Sequence, residues 1–200
     1  VPYLQYQLSV VQDVLKTLAR EFSQAGKAKK RTKFAQTYGH MMLAEDDSAH
    51  TYEKLLRLVC KNLENNFNLD SGNFIQVDIF EQLHPQITQL LKLTSLGARY
   101  EPFIEKYASP LIGAMIDRMD NATLWMQVNN AILMKTRQEN EAVVRKAALF
   151  VELALFNSLG ERFLIVLQDA VRFLSESLED DDEKVEQAAK DVVKKIESLT

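Results

Sequence analysis

An all-α protein is what this sequence predicts: an α-solenoid, or α-α superhelix, of stacked helix pairs. Three observations carry the prediction. Apolar residues recur at spacings of three and four along nearly the whole chain, the period of a helix buried on one face. Helix breakers are scarce, with six Gly and four Pro among 200 residues, while Leu, Ala, Val, Lys and Glu are abundant. A pattern also returns after 41 residues: Asn140–Leu159 (NEAVVRKAALFVELALFNSL) leads from a polar turn into an apolar helix, and Asp181–Leu199 (DDEKVEQAAKDVVKKIESL) repeats it. Val144 is answered by Val185, and Ala147-Ala148 by Ala188-Ala189. A repeat of ~40 residues and two helices marks a solenoid, because a two-helix unit buries its apolar stripe only by stacking on its neighbours.

The elements follow in order. Tyr3–Phe22 has apolar residues at helical spacing and ends by Gly26, after which comes the basic run Lys27–Lys33 (KAKKRTK). Phe34–Ala44 is a shorter helical stretch, and Glu45-Asp46-Asp47-Ser48 supplies acidic and capping residues for a helix over 49–66. Asn65–Asn73 (NNFNLDSGN) is the clearest break, since Asn, Asp, Ser and Gly favour turns. Phe74–Leu83 is helical; Ile75–Ile79 alternates, but too briefly for a strand. Pro85 lacks an N–H, so it is expected to interrupt the helix at His84 and to sit in the first turn of the next, which runs to Leu96 and is capped by Gly97. Arg99–Tyr107 and Pro110–Met119 form one kinked helix or two short ones. Asp120-Asn121 caps a helix over 122–136. Then come Glu141–Leu159, closed by Gly160; Arg162–Leu178; the acidic turn Glu179–Glu183; and Lys184–Leu199.

Residues 1–120 therefore read as irregular helical repeats with a basic loop at 26–33, and 121–200 as two regular repeats, the last acting as cap, in one continuous solenoid. Asn140 and Asp181 are placed to cap the second helix of each repeat, with Glu141 and Glu183 adding negative charge at its positive end. The paired alanines let the neighbouring helix approach closely. Lys190, Asp191, Lys194 and Lys195 suit the solvated outer face of a terminal repeat.

Bulk properties narrow the function. A net charge of −4 is not that of a polyanion binder, so any nucleic-acid contact falls to a local patch. The one cysteine, Cys60, excludes an internal disulfide and reads as a buried small hydrophobe. No apolar run reaches the length of a membrane span. The first residue is Val, and no signal peptide is recognisable, which is the expectation for a piece of a longer chain.

Asn140, Val144 and Arg145 resemble the D-x-x-x-V-R signature of HEAT repeats, with Asn in place of Asp; Asp181 and Val185 match again, while Glu186 replaces the Arg. Ala148 and Ala189 complete the repeat signature. Over 133–199 the chain is similar to the C-terminal region of the U3 small-nucleolar-RNA-associated protein ten family, called HEAT-repeat-containing protein one in animals. The similarity lies in Met134-Lys135-Thr136-Arg137, in Val144-Arg145, and in Leu167–Leu178 ending in the acidic block Glu179–Glu183. Tyr100-Glu-Pro-Phe and Leu124-Trp125 are compatible with it.

That resemblance implies a non-enzymatic scaffold of ribosome biogenesis in the nucleolus of the nucleus. It implies membership of the UtpA subcomplex of the small-subunit processome, which supports pre-18S rRNA processing, with a link to pre-rRNA transcription. Its partners would be other processome proteins, pre-rRNA and U3 snoRNA, with no cofactor, small-molecule substrate or membrane. The alternative is the HEAT scaffold of another assembly, such as a transport receptor or a kinase or phosphatase scaffold.

Candidate contacts each stand beside a plainer assignment. Lys27, Lys29, Lys30, Arg31 and Lys33 could meet RNA phosphates or serve nuclear localisation, or form a solvated loop. Arg137, Arg145 and Lys146 bracket the Asn140 turn and could meet a phosphate backbone, or pair with Glu139 and Glu141. Glu179–Glu183 lacks the spacing of a calcium loop and reads as a capping turn. His40, His50 and His84 are too scattered for a metal site, and no catalytic triad or phosphate loop is present. Asn121-Ala122-Thr123 matches a glycosylation sequon but reads as a helix cap, and Trp125 as core.

Overall fold

The computed structural model describes residues 45–70, 75–138 and 140–200, with side chains from residue 53 onward. The basic run and the helices expected over Tyr3–Phe22 and Phe34–Ala44 lie outside them. The described helices are α1 (Glu45–Leu69), α2 (Val77–Gln89), α3 (Tyr100–Phe103), α4 (Ser109–Arg118), α5 (Ala122–Leu133), α6 (Ala142–Leu159), α7 (Leu167–Leu178) and α8 (Glu183–Glu197). A π turn, Ile104–Ala108, joins α3 to α4, and 3-10 turns occupy Leu90–Lys92, Thr94–Arg99 and Gly160–Val166. Among the described residues there is no strand.

The helices form two layers. In the first, α1 packs on α4, α4 on α6 and α6 on α8; in the second, α2 packs on α5 and α5 on α7. Three successive pairs result, α2 with α3–α4, α5 with α6, and α7 with α8, and one continuous core runs between the layers. This is the stacked helix-pair architecture of an α-solenoid. Val144, Ala148, Val151 and Leu155 of α6 are buried, and so are Val185, Ala189, Val192 and Ile196 at the same places in α8. Their spacing of four, three and four keeps one stripe on the core.

The breaks follow local chemistry. Gly97 and Gly160 have φ of 56° and 58°, a region that costs a side chain strain, and each ends a run of helix. Asn121 caps α5, its Oδ1 accepting from the N–H groups of Thr123 and Leu124 at 3.0 and 3.2 Å. Trp125 is core, and its Nε1 donates to the carbonyls of Ile116 and Met119.

Two expectations are corrected, and one left open is settled. Pro85 lies inside α2, which does not break at His84. Phe80, Leu83 and Ile87 stay buried on one face, and that packing outweighs the lost hydrogen bond. Of the two readings of 99–119, the single irregular helix is the one found: Ser109 N–H bonds to Ile104 O, five residues back, so the chain passes Pro110 through a π turn. The capping register is one residue later than expected. Glu141 and Asp182, not Asn140 and Asp181, hold the N-cap positions of α6 and α8, and only Asp182 caps with its side chain, accepting from Lys184 and Val185 N–H.

Ala148 has no exposed surface where α6 meets its neighbours. Ala148→Leu is expected to lower the free energy of unfolding in urea by about 2 kcal/mol. Ala188→Leu, half-buried at the margin of the last pair, should cost less.

Candidate interaction surface

A buried guanidinium needs an anion and a full set of acceptors. Arg145, on the first turn of α6, has the anion and an acceptor for each of its three nitrogens. Its Nε donates to Asp180 Oδ2 at 2.7 Å, its Nη2 to Asp180 Oδ1 at 2.6 Å, and its Nη1 to the Asn140 carbonyl at 2.7 Å. The Arg145 and Asp180 side chains are 8% and 1% exposed. Asp180 also accepts from Gln138 Nε2 at 3.2 Å and from the Asp182 N–H at 2.9 Å. One ion pair thus joins the turn before α6 to the turn before α8. Hydrogen bonding to Asp180 holds the Arg145 pKa above its ordinary value. Burial pushes the Asp180 carboxyl up, but its hydrogen bonds to Arg145, to the Asp182 N–H and to Gln138 outweigh burial and hold it below the usual range.

Arg145 is therefore enclosed as an internal fastener whose carboxylate partner is Asp180 and not Glu141; Glu139 lies outside the described residues. Asn140 closes the preceding turn, its Nδ2 donating to the carbonyls of Met134 and Arg137, and Asp181 is exposed beside the fastener. Arg137 lies over the Phe173 ring, 5.6 Å from its centroid. Lys146 reaches across to Glu101 of α3 at 2.9 Å. The three basic side chains of this edge thus face three different partners. Lys27, Lys29, Lys30, Arg31 and Lys33 lie outside the described residues.

Other polar contacts repeat along both edges of the first layer. On the Arg145 side, Arg99 meets Glu53 at 2.6 Å and Thr94 Oγ1 donates to Glu141 at 3.2 Å. On the opposite side, Arg118 meets Asp70 at 2.8 Å, and Arg162 meets Asp117 and Asp120 at 3.3 and 3.1 Å. Asp70 Oδ2 also accepts from the Ile75 N–H at 2.9 Å, fixing the start of the second layer.

Among the described residues, chemically reactive groups are not gathered in one place. Cys60 is fully buried, and burial pushes its thiol up to about 12, so it is not a nucleophile near neutral pH. No cluster among the described residues could hold a metal ion, and no described helix is long and apolar enough to cross a membrane. Glu152 is the outlier. It is completely buried on α6, and burial raises its carboxyl from 4.5 to about 8. The Asn129 amide on α5 meets both its oxygens, at 2.8 and 2.9 Å, with its nitrogen turned towards them. The lone acid in the apolar run ALFVELALF was the available signal for this pair. Asp180, hidden in an acidic block, gave none.

No family model matches the chain. It is similar to the HEAT repeat-containing protein 1 homolog of Dictyostelium discoideum, 34% identical over 147 residues, which are 73% of this chain and 6% of that protein. It is similar to HEAT repeat-containing protein 1 of Homo sapiens, 29% identical over 175 residues, 83% of this chain and 8% of that protein. It also resembles U3 small nucleolar RNA-associated protein 10 of Pyricularia oryzae, 30% identical over 161 residues, 80% of this chain and 9% of that protein. The chain thus spans 6% to 9% of the length of these relatives.

Asp180→Ala strands the Arg145 cation and should cost roughly 3 kcal/mol in unfolding free energy. Because the folded Asp180 pKa is depressed, the ion pair's contribution is complete above the unfolded carboxyl pKa. It is lost as pH falls through the folded value. Unfolding measured from pH 7 downwards should therefore show the difference between wild type and Asp180→Ala shrinking only in acid. Glu152 has the opposite sign: its folded pKa is raised, so the cost of keeping it buried grows between pH 4.5 and about 8. Glu152→Gln should gain stability relative to wild type across that window, and a difference flat with pH would refute the burial argument.

Proposed function

Since the chain belongs to the HEAT repeat-containing protein 1 family, we propose that it is a segment of a non-enzymatic scaffold acting in ribosome biogenesis. The observation that carries this reading is its 30% identity, over 80% of its residues, to a protein named for association with U3 small nucleolar RNA. The fold supports it. Helix pairs on a shared core give an extended surface, and the buried Arg145–Asp180 ion pair fastens one pair to the next. In this reading the scaffold works in the nucleolus as part of the UtpA subcomplex of the small-subunit processome. There it supports pre-18S rRNA processing and connects to pre-rRNA transcription. Its neighbours are other processome proteins, pre-rRNA and U3 snoRNA.

Residues 121–200 are then two regular repeats that continue one solenoid from the irregular helices described before them. α8 serves as the cap, with Lys184, Gln187, Lys190, Asp191, Lys194 and Glu197 exposed on its outer face. RNA contact, where the protein makes it, is assigned to the basic run Lys27–Lys33. Arg145 is enclosed, while Lys146 and Arg137 are engaged with Glu101 and Phe173.

The test is recovery of U3 RNA with the tagged full-length protein, measured against an unrelated small nuclear RNA of similar abundance. Enrichment of U3 together with other processome proteins is expected, and its absence would reject the reading. Changing Lys27, Lys29, Lys30, Arg31 and Lys33 to Ser should weaken RNA binding by the chain and flatten its salt dependence. Unchanged affinity would remove the basic run from the contact.

A further inference from the structure

Three hollows open on the first helix layer, of about 650, 160 and 460 Å³, and Phe150 of α6 lines all of them. The largest lies between α6 and α8, the smallest between α3 and α6, and the third between α4 and α6, reaching Asn68 of α1. They meet along a second stripe of α6, with Val143, Ala147, Phe150 and Ala154 at helical spacing. Phe150 is 39% exposed and Val143 42%. A helix that is apolar on all sides is normally covered on all sides, yet this stripe of α6 is open. Gly113 deepens the third hollow, since a Cβ there would meet nothing within 4 Å.

The rim around this apolar floor carries an excess of acid. The largest hollow is balanced, Glu183, Glu186 and Asp191 facing Lys146, Lys184 and Lys190. The excess is Glu101, Glu105 and Asp117 beside the other two, Asp117 being held by Arg162. Six carboxylates line the hollows against three ammonium groups, those of Lys146, Lys184 and Lys190. Lys146 and Lys190 are engaged by Glu101 and Glu186. Among the described residues Glu105 and Glu183 have no ion pair. A negative rim repels a phosphate backbone and attracts cations, while the floor gains only from an apolar side chain.

We propose that this face docks a basic protein segment, an amphipathic stretch with Lys or Arg on both sides of an apolar anchor. The anchor sits against Phe150, and the flanking cations meet Glu105 on one side and Glu183 on the other. A guanidinium that lies flat on the Phe150 ring adds a further attraction. The inference goes beyond the ribosome-biogenesis reading and does not depend on it, because the same chemistry holds whatever particle supplies the segment.

The test uses a fluorescent helical peptide of about 18 residues made of Leu and Lys, a Leu and Glu peptide of the same pattern, and an oligouridine. Fluorescence anisotropy with the 200-residue chain should show saturable binding of the Leu and Lys peptide, and none of the Leu and Glu peptide. Phe150→Ala and Glu105→Lys should each weaken binding about tenfold or more, and added salt should weaken it further. Glu105 is exposed, so its reversal leaves the fold intact, which circular dichroism verifies. Equal affinity of wild type and both variants would overturn the proposal, since the peptide would then be following net charge alone. So would oligouridine binding that Phe150→Ala abolishes, or a dimer of the chain, seen by sedimentation, that the same change disperses.

Discussion

A pair of α-helices with apolar stripes cannot hide them from water alone, and everything else in this molecule follows from that constraint. Each pair must be covered by the next, so the buried positions of α6 recur in α8 at the same spacing. Small residues at the crossing, Ala148 and Ala189, let the two helices approach. The core is therefore not a centre but a line, running between two layers from α1 to α8.

Because the core is a line, polar groups are pushed to its two margins, where turns and helix ends gather. A charge caught there at low exposure must be fully partnered, and Arg145 shows how fully: three donors on two turns, and a carboxylate that itself holds two further donors. The same demand commits Arg145 to the fold, since a phosphate drawing it away would leave the Asp180 carboxylate without its cation. Glu152 is the other solution to a buried acid, shedding its charge where no cation is near.

What could be read from the residues alone divides along physical lines. Helical periodicity and the 41-residue return depend on local spacing, so the all-α class, the stacked pairs and the buried Val and Ala positions were legible. Side-chain partnering across pairs was not. Arg145 could be placed on an edge, but its partner lies 35 residues away, in a run where Glu179, Asp180, Asp181, Asp182 and Glu183 look alike. Which acid caps, which pairs and which is exposed is settled by the exact path of the turn. Pro85 misled for a related reason: the rule against proline within a helix is local, and Phe80, Leu83 and Ile87 override it through tertiary packing. The openness of Phe150 was equally invisible, because a sequence shows an apolar residue without showing whether anything covers it.

The junctions between pairs are unequally stiff. Between α6 and α8 the margin is closed by a buried ion pair, with side chains 8% and 1% exposed. Between α3–α4 and α6 both margins rest on exposed ones, Lys146 with Glu101 and Arg162 with Asp117 and Asp120. Exposed pairs are screened by water and hold weakly, whereas opening a buried one strands its charges. The ion pairs between α3–α4 and α6 are therefore the easier to open, while the buried pair ties α6 to α8. The smallest hollow, beside Ile104 and Phe150, lies at that more loosely fastened junction, so its width is set by surface charges that water and salt reach.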